Sequence, residues 1–292
     1  MEVNFMTDNH KMWADLGMDV ATHDILCEVL PGAFSDVFLS QENRPKGMDY
    51  FNMVVGDIHG IRPAELIEAQ KNGQKVVGSF CIHVPDEVVI AAGAIPTGLC
   101  SGSQFWVPGG EKVLPTATCP LIKASLGARF DRTCPFFRIA DLFVGETTCD
   151  GKKKAWEILA EDAPMYIMDI PQLKRERDFK HWEEEIRGYM ERLEELTGNK
   201  ITEESLHRAI EIVNNKRRAL QRLNNFRKQK NVPISGVDVL LIHQIAFFDD
   251  PERFTTMVNK LCDELDERVK NGVSVYEEGS KRILLTGTPL SI

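Results

Sequence analysis

The sequence lacks the features that mark several common classes of protein. It contains no run of 18 apolar residues, and its first residues do not form a basic start followed by an apolar stretch. Its 35 Lys and Arg residues are outnumbered by 44 Asp and Glu residues, and a formal charge of -9 opposes binding to a nucleic-acid backbone. We therefore expect a cytoplasmic protein that binds neither nucleic acid nor membrane.

Several motifs of well-known enzymes are missing as well. The chain has no Gly-x-x-x-x-Gly-Lys-Ser/Thr phosphate loop, so we do not expect this chain itself to hydrolyse ATP. It has no Gly-x-Ser-x-Gly elbow, no His-Glu-x-x-His and no Gly-x-Gly-x-x-Gly after a strand, which leaves serine hydrolases, zinc proteases and nicotinamide enzymes without support. The run Gly151-Lys-Lys-Lys154 is interpreted as a helix whose lysines face solvent, in preference to an anionic ligand.

The chain is long enough for a sizeable core, with 292 residues of which 43% are hydrophobic. Its pattern predicts an N-terminal helical segment at residues 1–60, an α/β domain at 61–171 and a helical region at 172–280. Two long amphipathic helices are expected in that region, over Arg177–Thr197 and Thr202–Lys228. Residues 281–292 predict the first strand of a second α/β domain. Since a lone first strand has no partners, we expect a truncated or incomplete chain.

Short apolar runs separated by helices predict a parallel sheet in the α/β domain. The strands are expected over residues 75–82, up to about Cys100, over 141–144 and over 164–170. A helix is expected before the first strand at 63–70, and further helices between strands at 86–93 and 149–161. In parallel sheets, functional sites form beyond the carboxyl ends of the strands. Cys100 and Cys149 both follow predicted strands, and Cys149 also begins a helix, where free N–H groups favour a thiolate.

The cysteines are the main candidates for chemistry. Of seven, Cys100, Cys119, Cys134 and Cys149 fall within fifty residues and each adjoins residues typical of turns, so their thiols are expected on loops that converge. The other three, Cys27, Cys81 and Cys262, lie in apolar segments and are expected to be buried. No Cys-x₂₋₄-Cys pair is present, which disfavours structural zinc. The four could still be core residues, iron–sulfur ligands, or a nucleophile with bystanders.

Four phrases resemble the 2-hydroxyacyl-CoA dehydratase family, D-component type, and most of all its double-cubane cluster branch. They are Leu99-Cys100-Ser101, Cys119-Pro-Leu-Ile-Lys-Ala-Ser125, Cys134-Pro-Phe-Phe137 and Val144-Gly-Glu-Thr-Thr-Cys149-Asp-Gly-Lys-Lys-Lys154. The similarity runs through the chain from about Arg62 to Ile283-Leu-Leu-Thr-Gly287, and the Cys-Asp-Gly-Lys-Lys-Lys phrase is its most specific part.

The resemblance implies two α/β domains per subunit around an oxygen-sensitive iron–sulfur centre. A separate ATP-hydrolysing [4Fe–4S] reductase would supply single electrons. In the double-cubane branch a homodimer carries an [8Fe–9S] double cubane in each subunit and reduces small molecules with multiple bonds. In the dehydratases a heterodimer carries a [4Fe–4S] cluster in each subunit, and one electron produces a ketyl radical from a 2-hydroxyacyl-CoA so that water can leave.

All four clustered cysteines match the double-cubane pattern, whereas Cys100 and Cys149 alone are expected as dehydratase ligands. Cys119 and Cys134 therefore favour ATP-dependent reduction of a small molecule at a double cubane. The alternatives are a subunit of a radical dehydratase and a non-catalytic cluster scaffold or electron carrier. The resemblance does not name the substrate, and two further double-cubane ligands would have to come from the missing domain.

Overall fold

A computed structural model describes residues 5–80, 82–99 and 102–284 of the chain. The described residues form two compact units. The first comprises residues 5–25 and 59–210, and the second comprises residues 26–58 and 211–284. Across these ranges, every helix is too short or too polar to cross a membrane.

Helices account for most of the described chain, and their order follows the prediction with several additions. In chain order they are α1 (Phe5–Asp15), α2 (Val20–Phe34), α3 (Met48–Gly56), α4 (Ile61–Lys71), α5 (Asp86–Ala91), α6 (Val107–Glu111), α7 (Pro120–Phe130), α8 (Phe136–Ile139), α9 (Asp150–Ala160), α10 (Glu176–Thr197), α11 (Glu203–Phe226), α12 (Gly236–Ile245) and α13 (Pro251–Lys270). A π-helical turn at Ser35–Leu39 and a 3₁₀ turn at Gln104–Trp106 complete the set.

Four short strands form a parallel sheet in the first unit. They are β1 (Val76–Ser79), β2 (Ile95–Gly98), β3 (Leu142–Glu146) and β4 (Met165–Met168), in the spatial order β2-β1-β3-β4. Val77 lies opposite Pro96 on one side and Leu142 on the other, and every pair is parallel. The predicted α/β class is therefore confirmed, and each strand overlaps a predicted strand.

One face of this sheet packs against α10. Val77, Val144 and Met168 are buried there with Tyr189 and Leu193 of α10, all essentially inaccessible to solvent. These two residues lie on the apolar face of the amphipathic helix predicted over Arg177–Thr197. The polar sequence of α10 is therefore that of an amphipathic helix covering a sheet.

The opposite face carries an aromatic core. The Phe80 ring lies 4.3 Å from the Trp156 ring of α9 and 5.8 Å from that of Phe137, measured between centroids. Gly145 on β3 allows this approach, because a Cβ there would lie 2.7 Å from Trp156 Cε2. The Trp156 indole also donates a hydrogen bond to the Glu146 carbonyl at 2.9 Å. The middle of α9 is thereby held against the end of β3.

The second unit contains helices and connecting segments in its described part. Phe51 of α3 packs edge-on against Phe254 of α13, with both rings fully buried. Arg44 forms a 2.6 Å ion pair with the buried carboxylate of Asp238 at the start of α12. A buried charge needs such a partner, so this pair ties residues 26–58 to the later helices of the unit.

The predicted opening strand of a second α/β domain falls largely outside the described residues. Residues 281–284 form no strand, and the side chains of Ile283 and Leu284 are exposed. Residues 285–292 are not described. The further domain remains a prediction.

A buried histidine pair in the first unit predicts a loss of stability in mild acid. His23 Nε2 lies 2.8 Å from His59 Nδ1, beside the Trp13 ring, and burial lowers the pKa of His23 to about 4 and that of His59 to about 3. The charge of Asp24 raises the pKa of His23 and His10 lowers it, while His23 lowers the pKa of His59. The unfolded chain binds the extra protons below its ordinary histidine pKa of about 6.5, so stability should fall from there toward pH 4.

We expect the unfolding free energy in urea to drop between pH 7 and pH 5 by on the order of 2 kcal/mol for each histidine. The double variant His23→Gln/His59→Gln should show a flatter pH dependence. His181→Gln, which changes a half-exposed histidine, should keep the wild-type slope. An equal slope in all three proteins would show that the buried pair does not cause the loss.

Candidate metal centre

Cys149 lies at the carboxyl end of the sheet. Strand β3 ends at Glu146, residues 147–148 form the turn, and Cys149 is the N-cap residue of α9 with extended backbone (φ -154°, ψ 163°). Its side chain is exposed and makes no capping hydrogen bond. The unpaired N–H groups of the first helical turn favour a negative charge beside them. The predicted position of Cys149 at a helix start is therefore confirmed.

Cys119 has the same local setting on a different helix. It is the N-cap residue of α7, Pro120 occupies the first helical position, and the Cys119 side chain is exposed without a capping hydrogen bond. Helix α7 is buried over Ile122–Ala128 and packs backbone to backbone on its neighbours, since a Cβ on Gly127 would lie 1.9 Å from the Trp106 carbonyl oxygen. A rigid, buried helix thus presents an exposed thiol at its start.

The turns that carry these two cysteines are neighbours. A Cβ added to Gly151 would lie 3.9 Å from Cys149 Sγ and 3.9 Å from Cγ2 of Thr118, the residue before Cys119. The same point is 3.0 Å from Cδ1 of Ile122 in the first turn of α7. The N-termini of α7 and α9 therefore converge, and the missing side chain of Gly151 makes room for that approach.

Cys134 is placed differently, because its thiol is buried just before α8. Burial raises its pKa to about 11, and the N–H groups of Phe137 and Phe136, which donate to Sγ, act in the opposite direction. A buried sulfur that accepts two backbone N–H bonds has the polar surroundings that tune cluster thiolates. As a free residue it is a neutral thiol. Its assignment as a ligand stays a prediction.

The remaining cysteines are either outside the described residues or at least partly buried. Cys100 and Cys81 lie outside the described residues, so the convergence of four thiols is untested. Cys262 is completely buried on α13, as predicted, whereas Cys27, which was also predicted to be buried, is only half-buried. Over the described ranges, no three His, Cys, Asp or Glu side chains lie close enough to hold a metal ion. Among the described cysteines, Cys119 and Cys149 are the two with exposed thiols.

The inward positions of two lysines beside these turns were not predicted from the sequence. Lys152, interpreted as solvent-exposed, pairs with Glu146, whose side chain is fully buried, while Lys153 and Lys154 do face solvent. Lys123 of α7 is buried and pairs with Glu111 at 2.6 Å. A glutamate on one side of a cysteine turn and a lysine three or four residues after the cysteine would have been the available signal.

Comparison with known proteins identifies a family model and several relatives that match this chain. The family model described as 2-hydroxyglutaryl-CoA dehydratase, D-component, matches residues 81–292. The chain is 36% identical over 232 residues to the "Putative dehydratase subunit YjiM" of Escherichia coli (strain K12), covering 77% of this chain and 59% of that protein.

Two further relatives are more distant. The chain is 23% identical over 222 residues to the (R)-phenyllactyl-CoA dehydratase beta subunit of Clostridium sporogenes, covering 75% of this chain and 57% of that protein. It is 23% identical over 220 residues to a benzoyl-CoA reductase subunit of Thauera aromatica, covering 74% and 55%. The chain spans a little over half the length of these relatives. With the family model matching most of the chain and one relative above 30% identity, this protein belongs to the 2-hydroxyacyl-CoA dehydratase family.

Proposed function

We propose that this chain is part of an iron–sulfur enzyme that reduces small molecules at a double-cubane cluster, with electrons from a separate ATP-hydrolysing [4Fe–4S] reductase. The observation that carries the proposal is the convergence of two helix starts beside the carboxyl end of a parallel sheet. Each of these helix starts carries an exposed thiol, Cys119 on one and Cys149 on the other. By the resemblance, Cys119 belongs to the double-cubane pattern, whereas the dehydratase ligands are expected at Cys100 and Cys149.

The residues at this place fit an iron–sulfur cluster in their donor chemistry. Thiolates are the usual ligands of such clusters, and helix N-termini provide N–H groups that stabilise them. Cys119 and Cys149, together with Cys100 and Cys134, would hold the cluster. When bound, it would supply the low-potential electrons of the reaction. The chain's own residues would present the thiols. Buried side chains of α7 and α9, such as Ile122 and Trp156, would limit access of water through the protein interior.

A subunit of a radical 2-hydroxyacyl-CoA dehydratase is the second candidate. It is favoured by the relatives named as dehydratase subunits, among them the (R)-2-hydroxyglutaryl-CoA dehydratase subunit beta of Acidaminococcus fermentans. In that case Cys100 and Cys149 would be ligands, the partner would be a second, different subunit, and Cys119 would have no role at the metal. The double-cubane enzyme would instead pair with a second copy of itself, in the cytoplasm.

Anaerobic purification of the full-length protein, followed by iron and acid-labile sulfide analysis, separates these functions. We expect about eight iron atoms per subunit, because two joined cubanes hold eight, and about four would instead support a dehydratase. Activity is then measured with small molecules that contain multiple bonds and with 2-hydroxyacyl-CoA, in the presence of the reductase and Mg-ATP. Bound iron without either activity would support a scaffold or electron carrier, and absence of iron would contradict all three.

A further inference from the structure

A buried ion pair lies directly beneath the Cys149 turn. The carboxylate of Glu146, at the last position of β3, is fully buried and pairs with Lys152 Nζ in the first turn of α9. The Thr148 hydroxyl donates to the same oxygen, Glu146 Oε1, at 3.0 Å. The pair and this hydrogen bond therefore enclose the turn at residues 147–149 and connect the strand before the cysteine to the helix after it.

The Cys119 turn has a corresponding pair. Lys123, in the first turn of α7, has a side chain only 5% exposed. Its Nζ lies 2.6 Å from Glu111 Oε1 and donates to the Thr116 carbonyl at 2.7 Å. Lys123, which follows Cys119, therefore contacts residues that precede it, as Lys152 does at the Cys149 turn. Two helices with exposed N-cap cysteines thus share one arrangement, built from different loops.

Neither pair is placed where it would best serve stability. A lysine in the first turn of a helix has the unfavourable sign for the helix dipole. Glu146 Oε2 is buried and has no hydrogen-bond partner in the described part of the chain, an uncommon state for a buried carboxylate. Buried ion pairs are often no more stabilising than apolar residues of similar size. Stability alone therefore gives no clear reason for the two pairs.

We propose that Lys152 with Glu146, and Lys123 with Glu111, are positioning residues that hold the Cys149 and Cys119 turns in the geometry that binds the cluster. Because each lysine is neutralised by its glutamate, the pairs act by fixing the backbone and not by adding positive charge beside the thiols. The inference rests on the proposed iron–sulfur function for its purpose, but the ordering of the turns can be measured without a cluster.

The first measurement uses cluster-free full-length protein and follows amide hydrogen exchange over residues 147–153, where the N–H groups of Thr147 and Lys153 donate to the Met168 and Cys149 carbonyls. The variant is the double substitution Glu146→Gln/Lys152→Met, which removes both charges and avoids leaving one buried charge unpaired. The control is Lys153→Met, which removes an adjacent exposed lysine whose ion pair with Asp150 spans 3.7 Å. We expect about ten-fold faster exchange in the double variant, because local opening of the turn no longer breaks the ion pair, and no change in the control.

The second measurement uses the anaerobically loaded protein and follows loss of iron to a chelator, the reduction potential and the electron paramagnetic resonance spectrum. We expect about ten-fold faster loss of iron in the double variant, with an altered spectrum, while its thermal unfolding midpoint is unchanged or raised. Lys153→Met should match the wild type. A merely structural pair would lower the unfolding midpoint and leave the spectrum of the retained cluster unaltered, which would overturn the proposal.

The same comparison applies to the other turn, with Lys123→Met as the variant. Its control is Lys112→Met, which removes an exposed lysine paired with Asp131 at 2.7 Å. Faster exchange at residues 116–119 is expected in the variant alone. If exchange accelerates while the wild-type protein holds no iron, the pairs position the turns and the proposed function fails. Unchanged exchange in both variants would refute the positioning role, whatever the iron content.

Discussion

Replacing Cys149 by serine is expected to abolish cluster-dependent activity and to strip most of the iron from the anaerobically purified protein. The substitution removes the thiol that we propose as a cluster ligand at the converging helix starts. It should leave the fold intact, because serine is a preferred N-cap residue and can accept the helix hydrogen bond that Cys149 does not make. We expect the unfolding free energy to stay the same or to rise by up to about 1 kcal/mol. Iron content and urea unfolding, measured on the same preparation, separate these effects.

Cys262→Ser is the matched control and should behave in the opposite way. Cys262 is fully buried on α13, and burial raises the pKa of its thiol to about 11. A serine hydroxyl at this position would have to be buried in apolar surroundings, at a cost of about 1–3 kcal/mol. Iron content and activity should remain at wild-type levels. Full iron occupancy in Cys149→Ser, or loss of iron in Cys262→Ser, would contradict the assignment of Cys149 as a ligand.

The second large effect concerns the supply of electrons. Full-length protein should be inactive with dithionite alone and active only with the ATP-hydrolysing reductase and Mg-ATP. Reduction of unactivated substrates needs a potential near the low end of the iron–sulfur range, on the order of -700 mV, while ordinary ferredoxin donors lie near -400 mV. For one electron that gap of about 300 mV corresponds to about 7 kcal/mol, or about five orders of magnitude in the equilibrium constant.

Turnover is measured anaerobically with each component omitted in turn. Omission of ATP, or its replacement by a non-hydrolysable analogue, should have the same effect as omission of the reductase, since hydrolysis has to be coupled to electron transfer. The chain contains no phosphate loop of its own, so ATP with this protein alone should not restore the reaction. Rapid turnover with dithionite in the absence of ATP and reductase would show that no such coupling is needed.

The two central strands of the sheet could be predicted from the sequence because they are buried on both faces. Such strands appear as short, continuous apolar runs bounded by glycine and proline, and β1 and β3 lie within runs of this kind. Helix α10 could be predicted for a related reason, because its apolar stripe with Tyr189 and Leu193 recurs at the helical period. Helix α7 did not stand out: Ile122–Ala128 are buried on every side, so no polar face marks a period.

The sequence by itself determined the fold class, the placement of Cys149 at the start of a helix after a strand, and, through its specific phrases, the family. All of these depend on neighbours along the chain, where residue type and spacing carry the information. Only the tertiary structure decided that the N-termini of α7 and α9 meet at Gly151, that Cys134 is a buried thiol while Cys119 is exposed, and that Lys152 turns inward to Glu146 while Lys153 faces solvent. These features depend on which distant segments pack together, and adjacent lysines of identical chemistry are distinguished only by the surfaces that the folded chain brings to them.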